Sequence, residues 1–392
     1  MNPKIYILAV SCFVIGTVEL IIGGILDIIS KDLGISVSTA GNLITIYSVF
    51  FALSAPILLN ATAKFERKKT YLWTLFAFFL SNILSAFSVN YGMLFTGRIV
   101  AAMSGSFLVV LSTTMASRMV TPEFKGRAIG TIFMGISASL VLGIPIGILV
   151  GNAYGWRAVF ILIALLTAVI MIGVQVMLEK AAPPPVISLR VQLRSLKEAK
   201  IVATQLSSGF LLAGHLTLYA YLTPFLRTAL HLNTAMVTAM YLVFGLAAVA
   251  GGGIGGFSSD KWGSKKSILT IITLFFVMML LIPFSVEWPI YLFTAVIILW
   301  SALSWAISPA QNNFIIQMAP HNSDILLSLN TTASHLGIAL GSFIGGIVIE
   351  HTSIIYNAWV GAVFVLIALL CSIFSVTRHS ESQNAEKYIH PY

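Results

Sequence analysis

Twelve long apolar runs nearly tile the chain, over 5–29, 39–60, 70–88, 92–115, 127–151, 157–178, 202–226, 235–257, 267–286, 289–310, 325–349 and 355–377. About 20 such residues carry a helix across a bilayer. Inside lipid every backbone polar group needs an internal partner, so each run is predicted to be a helix, here called spans 1 to 12. A barrel would need strict alternation, whereas 271–281 is apolar on every face. Only 9% of the chain is charged and 58% is hydrophobic, against about 25% and 45–50% in soluble domains. These figures define an all-α polytopic membrane protein and exclude soluble enzymes, nucleic-acid binders, disordered scaffolds and disulfide modules. Cys12 and Cys371 both lie in apolar runs, which leaves no disulfide framework. The first run has few basic residues before it and no small-residue cleavage site after it, so it reads as a retained span.

Basic residues set the orientation. Of 22 lysines and arginines, Lys31, Arg157 and Arg227 fall on one side and Arg98 falls inside a span, while the remaining eighteen share the N-terminal side. Such a bias places both termini in the cytoplasm, and the net charge of +9 marks topology rather than a nucleic-acid partner. The longest connection, 179–201, holds Pro183, Pro184 and Pro185 and divides 1–178 from 202–377, with a tail over 378–392. Each half carries a related loop, Asn60 to Leu72 and Gly256 to Leu269. Likewise Gly143-x-Pro145-x-Gly147 in span 5 parallels Gly341-x-Phe343-x-Gly345 in span 11. A duplicated six-helix unit is expected, with a central site between two bundles.

Charges inside spans are costly and usually face a cavity or pair. At 1.5 Å per residue, Glu19 in span 1 and Arg98 in span 4 both fall about 21 Å from the cytoplasmic face. They pair if the two spans are neighbours, either as a coupling site or as a permanent structural bridge. Asp27 reaches the outer interface as a solvated cap or gate residue. His215 in span 7 and His335 in span 11 lie near the midplane, where packing and ligand roles both stay open. Tyr219 shares the His215 face, and an aromatic beside a hydrogen-bonding group suits a flat heterocycle. Asn330 and Gln311 add possible polar contacts, which places a substrate between spans 1, 4, 7 and 11. Small residues recur every fourth position in span 5 (Gly135, Ser139, Gly143, Gly147, Gly151) and span 11 (Ala333, Gly337, Gly341, Gly345). These stripes let backbones approach closely, as static packing or as a sliding seam between bundles, with Pro145 adding a bend.

Several motifs resemble the major facilitator superfamily, within its twelve-span drug:proton antiporter branch. The loop Gly256-x-x-x-Asp260-Lys-x-Gly263-x-Lys-Lys266 resembles the superfamily's signature, and Leu94-x-x-x-Arg98 its helix 4 motif. Gly135, Gly143-x-Pro145-x-Gly147 and Gly155-Trp156-Arg157-x-x-Phe160 resemble the antiporter motif of helix 5 and its sequel. Asn60 and Lys64 depart from the first loop's usual Gly and Asp, and Asp27 stands where relatives often have Pro. The opening of span 1, Ala213 to Ala220 and Ser308-Pro-Ala-Gln311 are also similar to exporters of purine bases and nucleosides. The resemblance implies two pseudo-symmetric six-helix bundles and export of a small organic solute in exchange for protons, with a proton-coupled uptake symporter as the alternative. It further implies neighbouring spans 1 and 4. Moving Glu19 and Arg98 apart would change the carboxyl's hold on a proton, so they are the expected proton-coupling pair, in a monomer in the plasma membrane without a cofactor. In the resembled family a loop acid latches onto a helix start in the other half. Asp260 fits that role at the start of span 5 beside Arg127, and the first half suggests an inverted pair of Lys64 with Asp324.

No phosphate-binding G-x-x-x-x-G-K-[ST] loop, H-E-x-x-H or Cys/His cluster occurs, so neither ATP hydrolysis nor a metal site is expected. The best rival of another class is an intramembrane serine hydrolase using Ser104 with His215 as base. A solute-gated channel or sensor is a third reading.

Overall fold

The computed structural model describes residues 3–121, 124–180, 198–319 and 323–378. Most of the 179–201 connection and of the 378–392 tail, and the Asp324 side chain, lie outside the described residues. Every predicted run is helical. Spans 1 to 4 are Lys4–Leu33, Val37–Ala61, Arg67–Ala86 and Tyr91–Arg118, and span 6 is Trp156–Met177. Spans 8 to 12 are Thr234–Trp262, Ser264–Ser285, Ile290–Met318, Ser323–His351 and Tyr356–Thr377. Among the described residues, 11 helices are long and apolar enough to cross a membrane. Span 3 falls short of that measure; it opens on Arg67, Lys68 and Lys69 and carries Ser81, Asn82 and Ser85 further along.

The helix starts use ordinary cap chemistry. Ser36 accepts from the Thr39 amide at 3.0 Å, Asn90 from Met93 at 2.9 Å and Glu66 from both Lys68 and Lys69. Gly155 and Gly263 turn the chain between helices at φ of +85° and +83°, where a side chain would be strained.

Two spans are not the continuous helices that the sequence suggests, and proline explains both. Span 7 stops at Tyr219 and resumes as Leu222–Ala229. Pro224 has no N–H to offer the Ala220 carbonyl and would clash with it, so the helix opens one turn earlier. Span 5 runs Lys125–Ala138, widens into a π-turn over Ser139–Gly143 and continues as Ile144–Tyr154. Pro145 lacks the N–H that would close the regular bond to Val141, and the wider turn absorbs that loss.

The chain groups into two compact units. The first joins 1–186 with 219–246 and 342–354, and the second joins 187–218, 247–341 and 355–392. In the first unit span 5 lies along span 1. A Cβ built on Gly135 would collide with the Ala9 carbonyl, on Gly143 with Thr17 and on Gly147 with Ile21, and on Gly151 it would press on Ile25 at 3.0 Å. In the second unit span 11 lies along span 7 in the same manner, Gly337 against Gly209 and Gly341 against Ala213. The close contacts of both stripes therefore seat helices of one half on each other. Lys4 donates to Glu179, fastening the start of span 1 to the chain just after span 6. That cation holds the Glu179 carboxyl below its ordinary range.

Candidate functional site

In the first unit, span 4 buries Arg98 completely. Its Nη1 donates to the Val18 carbonyl at 2.8 Å, and its guanidinium lies 4.2 Å from the centre of the Tyr47 ring. Glu19, the next residue after that carbonyl, is half-buried, and its charge acts on both Arg98 and Tyr47. Spans 1 and 4 are thus neighbours, as the family resemblance implies, and Glu19 and Arg98 lie at the matched depth read from the sequence. Arg98 Nε and Nη2 and the Tyr47 hydroxyl are buried without a hydrogen-bond partner. The sequence reading missed Tyr47, since a tyrosine in an apolar run carries no signal of which helix it meets. Unsatisfied donors around a fully buried cation are costly, and Arg98 leaves two of its nitrogens in that state.

At the end of span 1 the same unit holds a second cluster. Asp27 Oδ2 pairs with Arg227 at 2.8 Å, while Arg227 Nη2 donates to Asn152 Oδ1 and to Thr234 Oγ1, both at 3.1 Å. Beyond it Asp32 accepts from Arg157 at 2.5 Å and from Trp156 Nε1 at 3.0 Å, and Arg157 also donates to the Ser88 carbonyl. Tyr219 stacks on Phe244 with centroids 4.8 Å apart and meets Tyr241 edge-on.

The second unit holds the other predicted contacts. His215 is buried against Trp300 and Phe275, at centroid distances of 4.9 and 5.9 Å. His335 is half-buried and its Nδ1 donates to the Thr331 carbonyl at 3.0 Å, which fixes the proton on that nitrogen. Asn330 donates to Gln205 Oε1 at 3.0 Å and to Ser208 at 2.6 Å, and Gln311 donates to the Thr204 carbonyl at 3.0 Å. These amides lace spans 10 and 11 to span 7. Gln311 also lines a small pocket with Thr204, Phe314, Ser372 and Ser375.

The predicted latch residues lie near the other end of the helices. Lys64 is exposed in the turn after span 2, Arg127 is exposed in the first turn of span 5, and Asp260 is exposed near the end of span 8. Asn313 Nδ2 lies 3.5 Å from Asp260 Oδ1. Pro145, Gly143 and Gly147 are buried along span 1. Ser104, the nucleophile of the hydrolase reading, spends its hydroxyl on the Val100 and Ala101 carbonyls at 2.6 and 3.2 Å.

A chain of long apolar helices in two related halves with buried polar groups has the architecture of a membrane transporter. The family model described as Major Facilitator Superfamily matches residues 8–323 and 206–388, and the chain belongs to that superfamily. It is 36% identical over 370 residues to the uncharacterized MFS-type transporter YbcL of Bacillus subtilis, covering 94% of this chain and 95% of that one. It is 28% identical to a probable sugar efflux transporter of Helicobacter pylori, covering 93% of each. It is 27% identical to the inner membrane transport protein YdhP of Escherichia coli, covering 97% of this chain and 98% of that one. Among solved structures, a bacterial homologue of the human lysosomal transporter Spinster, inward-facing and unoccupied, matches with a TM-score of 0.75 at 13% identity, covering 97% of this chain and all of that one. The Escherichia coli xylose transporter XylE, in a partially occluded inward-open conformation, matches with the same score at 13% identity, covering 97% of this chain and 98% of that one. The protein is a multi-pass membrane transporter for small molecules and not an enzyme, which sets aside the Ser104 and His215 reading.

Proposed function

We propose that the protein exports a small organic solute, a drug-like compound or a purine base or nucleoside, in exchange for protons. It works by alternating access between bundles 1–178 and 202–377, in a bacterial plasma membrane with both termini cytoplasmic. The observation that carries the reading is Glu19 set beside the buried Arg98 and Tyr47. A carboxylate in lipid whose neighbouring cation draws closer or recedes changes its hold on a proton, and that change couples proton movement to the conformational cycle. The efflux direction draws support from the relative named as a probable sugar efflux transporter. His215 and His335 in the second unit, and separately Tyr219 in the first, are the candidate substrate contacts. Asn330 and Gln311 rank below them because their amides bond across to span 7 and so hold helices together. Asp27 with Arg227 gates one end. Asp260 with Arg127, and Lys64 with Asp324, latch the other, while Gly143, Pro145 and Gly147 guide span 5 on span 1.

The test uses purified protein in liposomes with an imposed pH gradient and a panel of nucleosides, hexoses and cationic dyes. Gradient-driven accumulation of one class in wild type is expected. Glu19→Gln is expected to lose uphill transport while keeping solute exchange. Unchanged pH-driven transport by Glu19→Gln would remove Glu19 from the coupling step.

A further inference from the structure

We propose that Tyr221 is a positioning residue of the transport cycle: its ring, keyed between Gly41 of span 2 and Gly346 of span 11, holds the half-helix Leu222–Ala229 shut, and the Ala220–Tyr221 break is its hinge. The inference rests on the alternating-access reading and adds to it a specific lock.

Four observations converge on this residue, all inside the first unit. Tyr221 is 0% exposed although it sits in a break between two helices. Its hydroxyl donates to the Ser342 carbonyl of span 11 at 2.7 Å, and the Ser342 hydroxyl meets Thr45 of span 2 at 2.8 Å. A Cβ on Gly41 would run into the Tyr221 hydroxyl and ring, with Cζ 2.6 Å away. A Cβ on Gly346 would lie 2.7 Å from the same hydroxyl and 2.9 Å from Ser38 Oγ. Two glycines on two different spans therefore form a socket that only a missing side chain leaves open.

Past the break the half-helix is held by replaceable polar contacts. Thr223 lies 3.3 Å from the Gly24 carbonyl, and Arg227 binds Asp27 and Asn152. A helix of 8 residues has little stability of its own, so its position is set by these contacts, by the key and by the burial of Leu222, Phe225 and Leu226. Withdrawal of one ring about its side-chain torsions would free the segment, with the hinge already opened by Pro224.

The experiment uses the full-length protein in nanodiscs, with Cys12→Ala and Cys371→Ala as background and Ser38→Cys as a reporter. Ser38 is buried beside the socket. Alkylation by a charged maleimide is expected to be slow in the reporter protein. It should rise about tenfold in Tyr221→Ala and in Gly41→Ala, and about threefold in Tyr221→Phe, which keeps the plug but loses the Ser342 bond. Gly41→Ala added to Tyr221→Ala should give no further rise, since the clash has gone with the ring. Gly97→Ala is the control, because its Cβ meets Ser85 within spans 3 and 4 only. Unchanged alkylation in a folded Tyr221→Ala protein overturns the lock, as does an equal rise in Gly97→Ala or a full additional rise in the double variant. Should Gly41→Ala not fold, the two Tyr221 variants decide. The readout needs neither substrate nor pH gradient, so a failed export assay leaves its outcome intact.

Discussion

Asp27 and Arg227 form an ion pair of 2.8 Å that ties span 1 to the short helix completing span 7, and only one oxygen of the carboxylate takes part. Asp27 Oδ1 is buried without a partner. The pair is therefore asymmetric: removing the cation strands a half-buried charge, whereas neutralising the acid leaves Arg227 bonded to Asn152 and Thr234. Arg227→Leu should destabilise the protein by about 1–3 kcal/mol, between the values for exposed and buried pairs. Asp27→Asn should cost less. Thermal unfolding in detergent with both singles and the Asp27→Asn/Arg227→Leu double checks the order. A double variant no more stable than Arg227→Leu would count against the pair.

The Tyr47 hydroxyl is buried and makes no hydrogen bond, while its ring supports the Arg98 guanidinium. Removing an unsatisfied hydroxyl relieves a desolvation penalty, and removing the ring loses packing and the cation contact. Tyr47→Phe should match or exceed the wild-type unfolding temperature, and Tyr47→Leu should fall below it by about 1–2 kcal/mol of stability. A drop for Tyr47→Phe equal to that for Tyr47→Leu would show that the hydroxyl has a function in the fold.

The stripe of small residues in span 5 should respond in a graded way to alanine. Gly135 faces the backbone of Ala9, which cannot step aside, whereas Gly151 faces side chains, Ile25 at 3.0 Å, Val159 at 3.5 Å and Ile28 at 3.6 Å. Gly126 and Gly130 face open space. Gly135→Ala should cost on the order of 2 kcal/mol or more through overpacking. Gly151→Ala should fall near neutral, and Gly130→Ala should gain helix propensity in an exposed turn. Expression and unfolding temperature across the series measure the gradient, and equal losses at all positions would refute it.

The helices were legible because lipid leaves the backbone no other choice, so an apolar run of sufficient length suffices. The common depth of Glu19 and Arg98 was legible because a fixed rise per residue converts sequence position into depth, whereas the adjacency of spans 1 and 4 came from the family resemblance. Other features lacked such a rule. Pro224 sits inside an apolar run that reads as one helix on either side, so the break at Ala220 did not register. Gly41 and Gly346 look like ordinary packing glycines until Tyr221 is seen between them. Residue type likewise cannot tell whether the amides of Asn330 and Gln311 face a cavity or a neighbouring helix.

That last ambiguity yields the sharpest contrast between a binding and a structural role. Asn330 spans Gln205 and Ser208, and Gln205 in turn donates to the Leu326 carbonyl, so one amide anchors a chain of bonds between spans 7 and 11. Gln311 anchors span 10 to span 7 in the same manner. Alanine at either position leaves buried partners unsatisfied, at a cost of about 1–3 kcal/mol each. Asn330→Ala and Gln311→Ala should therefore lower the unfolding temperature while leaving the apparent substrate constant of the surviving protein within about twofold, since uniform binding is untouched. His335→Gln should do the opposite, shifting the constant with little loss of stability, because its Nδ1 bonds a carbonyl within its own helix and glutamine keeps a donor there. Transport kinetics normalised to folded protein, read beside thermal unfolding, separate the two. A raised substrate constant with unchanged stability in Asn330→Ala would return that residue to the binding site.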